Sequence, residues 1–240
     1  MSSRLRAVAG AVVILSLCAM CVRLGFWQLG RLEQRRARNA VIQRGLSHPP
    51  IPLAGPAVQQ AFRDPSTWAY RRVTAYGTFL DSGEVVLRGR SDAGRPGVHV
   101  VTPLRLAGTP RILLVNRGWL AAPDGARPPQ RNPAPSGQVQ VVGLLMEIPK
   151  TSDGGTPSRQ QGGATSYRRL DLEAMRAVHG EALLPLYLQA TGESDGVLRP
   201  VPAPELDEGP HLSYALQWFG FAATGVIGLL VLMLKARRAP

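Results

Sequence analysis

GPHLSYALQWFGFAATGVIGLLVLML, residues 209–234, decides how the rest of the chain is read. From Leu212 to Leu234 no side chain carries a charge. At about 1.5 Å per residue an α-helix over that span reaches about 34 Å, enough to cross a hydrocarbon core about 30 Å thick. Lys235, Arg237 and Arg238 follow directly, and Asp207 and Glu208 lie just before. Basic residues favour the cytoplasmic side, so the helix is expected to begin outside and end in the cytoplasm. His211 stands at its outer mouth, beside Tyr214, Gln217, Trp218 and Phe221 in sequence.

A second apolar run lies near the other end. Arg4 and Arg6 precede Ala7 to Val22, Arg23 interrupts the run, and LGFWQLGR continues it to Arg31. A signal peptide has this outline, but a convincing small-x-small cleavage site is missing. The run reads as an uncleaved anchor, with Arg23 snorkelling outward and Trp27 at the interface. Arg31, Arg35, Arg36 and Arg38 leave its own charge pattern ambiguous. The C-terminal helix settles the topology: two crossings put both termini in the cytoplasm and the middle of the chain outside. The expected order is a cytoplasmic N-terminus (1–6), a transmembrane helix (7–30), a stalk and proline-rich linker (31–67), a β-rich external domain (68–210), a second transmembrane helix (211–234) and a cytoplasmic tail (235–240). Membrane lipid is the first expected partner.

The middle reads as strands. Tyr70 to Leu80, Glu84 to Gly89, Val98 to Leu106, Arg111 to Leu120 and Gln138 to Glu147 are rich in Val, Leu, Thr and aromatics, with Gly or Asp clusters between them. Such runs predict antiparallel strands with short turns. Val139, Val141 and Gly143 alternate with Gln138, Gln140 and Val142, which predicts one core face and one partly wet face. Residues 121–137 and 151–166 are full of Pro, Gly, Ser and Gln and read as surface insertions. DLEAMRAV, from Asp171, predicts a short helix with Asp171 as N-cap and Gly180 beyond its end. Leu183 to Thr191 reads as a last strand, placed at an edge by Pro185. Gly77 and Gly118 read as a bulge or a close backbone approach. The fold class is α+β: two transmembrane helices flanking a mostly antiparallel β domain with a short helix.

The 240 residues carry a formal charge of +12, nearly all from arginine. The basic residues form no compact run with interleaved aromatics, so nucleic acid is not an expected partner. The cysteines, Cys18 and Cys21, lie in the first apolar run. No helix N-terminus or base attends them there to generate a thiolate, and they read as small packing residues. The external part thus has neither a disulfide framework nor a Cys-based zinc site. No Gly-x-Gly-x-x-Gly, P-loop, Gly-x-Ser-x-Gly or His-Glu-x-x-His occurs. The four histidines have no metal-ligand spacing; His99 reads as a solvent-side strand residue and His179 as a helix-end residue facing the macrodipole. No nucleophile and base stand together, so the chain does not read as an enzyme.

His211 has different company. At 100° per residue, His211, Tyr214, Trp218, Phe221 and Gly225 fall within an arc of about 80°. An imidazole followed by flat aromatic surface suits a planar cofactor such as haem. The same stripe also suits an interfacial aromatic belt with a hydrogen-bonding histidine. Gly220, Thr224 and Gly228 form a separate small-residue face, expected to meet the first helix.

Six segments in fixed order then add up to a family: LGFWQLGR (24–31), YRRVTAYGTF (70–79), GVHVVTPL (97–104), ILLVNRGWL (112–120), GQVQVVGLL (137–145) and HLSYALQWF (211–219). The chain resembles the surfeit locus 1 family of cytochrome c oxidase assembly factors over nearly its whole length. The resemblance implies a domain in the periplasm or mitochondrial intermembrane space between two membrane helices, and delivery of haem a to subunit I of the oxidase. It further implies haem a synthase as a partner, and by motif it makes His211 the axial ligand of the haem iron. With no mitochondrial targeting stretch before the first helix, the bacterial inner membrane is the expected location. Relatives usually carry Asn or another polar residue in the two places before this histidine; here they are Gly209-Pro210.

Two readings are set against each other. In the first, His211 ligates haem a, Tyr214, Trp218 and Phe221 support the ring, Arg31 pairs with a propionate, and Trp27 and Gln28 stand nearby on the first helix. In the second, the chain is a cofactor-free membrane scaffold that steadies subunit I through an exposed Asn116-Arg117-Gly118-Trp119. A membrane enzyme acting on haem is a third, for which no catalytic constellation is present.

Overall fold

The computed structural model describes residues 3–80, 82–125, 133–150, 165–191 and 197–238. Much of the two expected insertions lies outside the described residues, as does Asp81. The chain divides into two compact units, Met1–Val41 with Glu205–Pro240, and Ile42–Pro204.

The first unit is built from α1 (Ser3–Ser47) and α5 (His211–Arg238). Both are long and apolar enough to cross a membrane. No Gly or Pro interrupts residues 31–44, so the polar continuation of the apolar run stays helical. The helix ends at Ser47, just before His48-Pro49-Pro50. The residue before a proline is pushed out of the α region. His48 Nδ1 lies 2.6 Å from the Arg44 carbonyl, one of the orphan acceptors of the last turn.

The two helices pair antiparallel: Cys18 meets Gly225, Gly25 meets Phe219, and Gln28 meets His211. Buried or half-buried positions recur at alternating spacings of three and four, through Ile14, Cys18, Cys21, Gly25, Gln28 and Leu32 on α1. On α5 they are His211, Ala215, Trp218, Ala222, Gly225 and Leu229. That is the seam of a two-helix coiled coil. Close approach comes from small residues on both sides, since a Cβ on Gly25 would lie 2.5 Å from the Phe219 ring and one on Gly225 2.6 Å from Cys18 Sγ. Cys18 is therefore a packing residue, as expected. The face of Gly220, Thr224 and Gly228 is not the contact face, however. All three are exposed, and a Cβ on either glycine meets nothing within 4 Å. The contact row runs instead through Ala215 and Ala222, which are 0% and 6% exposed.

The second unit runs β1 (Ile51–Pro52), α2 (Pro56–Arg63), α3 (Pro65–Trp68), β2 (Arg72–Phe79), β3 (Val85–Asp92), β4 (Arg95–Leu106), β5 (Ile112–Ala121), β6 (Gln138–Glu147), β7 (Thr165–Tyr167), α4 (Leu172–His179) and β8 (Leu183–Ala190). Strand order in the sheet is β1-β2-β6-β8-β5-β4-β3-β7. Because β2 also pairs with β4, the strands β2, β6, β8, β5 and β4 close into a five-stranded barrel. The pairs β1–β2, β3–β7 and β5–β8 are parallel and the others antiparallel. The α+β class with a mostly antiparallel β domain stands.

Alternate residues of the barrel strands, among them Val73, Leu104, Leu113, Val115, Leu145, Leu186 and Leu188, form the interior cluster. Val58 and Ala61 of α2 and Trp68 of α3 close it. Their neighbours on the other face, including Leu114 and Leu183, pack with Val85 and Leu87 of β3, Tyr167 of β7, and Leu172 and Met175 of α4. Asp171 caps α4 as expected, accepting from Ala174 N at 3.0 Å, and Gly180 follows with φ 78°.

β8 is not an edge strand. It lies between β5 and β6, and Pro185 is accommodated because pairing with β5 is interrupted there: Ile112 pairs Leu183 and Leu114 pairs Tyr187. The missing amide falls at the irregularity, where no ladder bond is lost. The glycine readings hold. Gly118, at φ 148°, belongs to a bulge where Val100 pairs Gly118 and Val101 pairs Asn116. A Cβ on Gly77 would strike the Arg105 carbonyl of β4.

Candidate functional site

The N-terminal turn of α5 is built by Asp207 to His211. Gly209 takes φ 69°, a left-handed conformation open to glycine, and its N–H donates to Asp207 Oδ1 at 2.8 Å. Pro210 then presets the helical φ, and its carbonyl accepts from Tyr214 N at 3.1 Å and from Ser213 Oγ at 2.8 Å. Gly209-Pro210 thus supplies a sharp turn into the helix with His211 as its first residue.

His211 Nδ1 lies 2.8 Å from Gln28 Oε1 of α1. An Nδ1–H donating to a carboxamide oxygen leaves the lone pair on Nε2, the tautomer that a metal-ligating imidazole uses. Gly209 adds room, since a Cβ there would stand 3.4 Å from the imidazole. Trp218 is half-buried in the helix seam and meets Phe221 edge to face, with ring centroids 5.9 Å apart. Tyr214 and Phe221 present their rings outward, 46% and 59% exposed. Trp27 is 57% exposed, and Arg31 is exposed and donates to Gln34 of its own helix at 3.0 Å. The structure therefore brings His211 and Gln28 together, sets Trp218 beside Phe221, and leaves Tyr214, Trp27 and Arg31 as exposed side chains around them.

Two contacts with no sequence signal fix the chain at this end. Arg36 grips Glu208 through both carboxylate oxygens at 2.9 Å, and Asn39 Nδ2 donates to the Asp207 carbonyl at 3.2 Å. Glu208 is held below the usual carboxylate range by the hydrogen bond from Arg36. The pair is solvent-exposed, so its part is to position the turn rather than to stabilise it.

The β domain corrects two expectations. Asn116-Arg117-Gly118-Trp119 is not an exposed contact: Asn116 and Trp119 are 3% and 4% exposed, and the Arg117 side chain lies 3.8 Å from Glu84. Trp119 is flanked by the guanidinium groups of Arg95 and Arg199. His99 does not face solvent but sits 3.2 Å from Asn116 Nδ2, and burial, with Arg90 adding to it, pushes its pKa down to about 4. His179 is half-buried against Gly83 at the end of α4, and burial lowers its pKa also. Alternation along β4 does not reveal that His99 stands between Leu87 of β3 and Trp119 of β5, its paired neighbours in the sheet. Among the described residues no three His, Cys, Asp or Glu side chains gather as a metal site.

The profile of the SURF1 family matches residues 15–223. The chain belongs to the SURF1 family. An uncharacterized SURF1-like protein of Mycobacterium bovis is 31% identical over 223 residues, covering 92% of this chain and 81% of the relative. SURF1-like proteins of Rickettsia felis and Monosiga brevicollis are 28% and 29% identical, covering 95% and 88% of this chain and 96% and 82% of theirs. The resemblance read from the six ordered segments is thereby established. SURF1 membership spans both units, from the apolar run of α1 to the aromatic turn of α5.

Proposed function

We propose that the chain is a membrane-bound assembly factor for cytochrome c oxidase that binds haem a at the first turn of α5 and passes it to subunit I. The observation that carries this reading is the 2.8 Å contact between His211 Nδ1 and Gln28 Oε1. It fixes the ring and leaves the Nε2 lone pair as the donor that would hold the haem iron. Trp218, Phe221 and Tyr214 offer apolar surface of the kind a macrocycle packs against, and Arg31 and Trp27 stand at the same level of α1. A bound haem would bring redox-active iron and a flat apolar ring; the chain's own part is to hold and orient it. Haem a synthase is the proposed donor.

In this reading α1 and α5 cross the bacterial inner membrane, both termini are cytoplasmic and the β domain is periplasmic. Lys235 after the apolar span of α5 supports that orientation. The chain acts as a carrier rather than a catalyst. The test is to purify it from cells making haem a and compare the absorption spectra of the parent protein, His211→Ala and Gln28→Leu. His211→Ala should lose the haem, and Gln28→Leu should retain less of it, because the tautomer and ring orientation are no longer held. Equal haem content in all three would overturn the assignment of the ligand.

A further inference from the structure

The β domain contains a cavity of about 840 Å³ lined by Arg88, Gly89, Arg90, Asp124, Gly125, Arg168 and Arg169. Four of these seven residues are arginines and one is an acid. It is built rather than incidental. The register of β3 against β4 shifts between Leu87 and Arg90, and Gly89 takes φ 70° at the irregularity. Bulges of this kind re-aim side chains beside functional sites. Gly89 N then donates to the Gly125 carbonyl at 2.7 Å, which brings the loop after β5 to the cavity wall. Arg88 donates to the Ser166 carbonyl at 3.0 Å and Arg90 to the Arg168 carbonyl at 3.0 Å, which fastens β7 and the residues after it on the other side. Two arginines are thus anchored by backbone acceptors, and among the described residues no carboxylate pairs with either. The Arg90 Nε is buried without a hydrogen-bond partner among the described residues.

Gathering cations in a partly desolvated cavity costs free energy unless an anion completes it. Guanidinium forks match the oxygens of phosphate bidentately. A single carboxylate ligand has two oxygens, too few for several forks, whereas linked phosphates have many. The volume is that of a small-molecule site. We propose that this cavity binds a phosphate-bearing anion of two or more negative charges, either a free oligophosphate or an anionic phospholipid headgroup.

The test uses the full chain in neutral detergent, with pyrophosphate titrated by calorimetry at constant ionic strength. Pyrophosphate should saturate a single site, and Arg168→Gln with Arg169→Gln should weaken it about tenfold or more, the loss of charge-assisted bonds. Both side chains are exposed, and thermal melting without ligand confirms that the double variant is folded. Arg88→Lys, which keeps the charge and loses the fork, should weaken binding while leaving the domain folded. Repeating the titration in nanodiscs separates the sources. Cardiolipin, whose headgroup carries two phosphates, competing with pyrophosphate, and failing to compete in the double variant, supports a headgroup; equal affinity in phosphatidylcholine and cardiolipin discs supports a free anion. No saturation beyond that of sodium chloride, parent-like affinity in the double variant, or tighter capture of an oligoglutamate peptide would overturn the proposal.

Discussion

Acid should loosen the β domain through a buried side chain, His99. It lies on β4 with Leu87 of β3 paired on one side and Trp119 of β5 on the other, next to Asn116 and the Arg90 cation. Burial favours the neutral ring, so the folded pKa falls from 6.5 to about 4. The unfolded chain therefore takes up a proton first. Stability is undiminished above pH 6.5, falls as pH drops from 6.5 towards 4, and levels off below 4, where both states are charged. The full linkage is about 3 kcal/mol, of which about 2 kcal/mol is already lost at pH 5. Urea unfolding of the detergent-solubilised chain, followed by tryptophan fluorescence from pH 7.5 to 4.5, measures it. Carboxylates and His179 also titrate in this range, so the quantity of interest is the difference between the parent and His99→Gln, in which their contributions cancel. Glutamine keeps a neutral polar group and has nothing to titrate. The parent should lose about 2 kcal/mol more than the variant between pH 7.5 and 5. Parallel curves for the two proteins would refute the burial argument, whatever the offset between them.

Further outcomes follow from the packing. In a Cys21→Ser background, Gly225→Cys should oxidise readily with Cys18, because the new Cβ stands 2.6 Å from that sulfur; loss of both maleimide-reactive thiols after mild oxidation is the readout. A Gly220→Cys control, with nothing within 4 Å, should leave both thiols reactive. Gly97→Val should destabilise the β domain by about 1–3 kcal/mol or more, measured in urea, since any Cβ there strikes the Trp119 indole and the Leu120 carbonyl.

How much of this was legible beforehand depends on the range of the interaction. The barrel strands were readable because each has its own run of Val, Leu and Thr bounded by Gly or Asp, and Asp171 announced α4 as a local cap. The helix seam was misread at Gly220, Thr224 and Gly228 because small residues are necessary for close packing but do not identify the packed row. That choice was made by Cys18, Gly25 and Phe219, on or opposite a partner helix far away in sequence. Pro185 misled for a similar reason: proline does exclude a ladder bond, yet the register shift against β5 had already removed it. His99 and the Asn116 to Trp119 segment look like surface from their own strands, because alternation within one strand cannot reveal what its neighbours bury. At the candidate site, His211 and its aromatic neighbours were visible as a stripe on one helix. The Arg36–Glu208 grip was not, since it joins two charges with no helical spacing between them.

The order of strands in the barrel sets a timetable. β8 is the last strand made, yet it fills the gap between β5 and β6. Until Ala190 has left the ribosome, those two neighbours display unsatisfied edges of the sort that recruit other chains. Only a short stretch separates Ala190 from His211, so the wall closes at nearly the moment the terminal apolar helix emerges. A nascent chain stalled before Leu183 would be an open sheet on a tether, and proteolysis or holding chaperones would be expected to act in that interval.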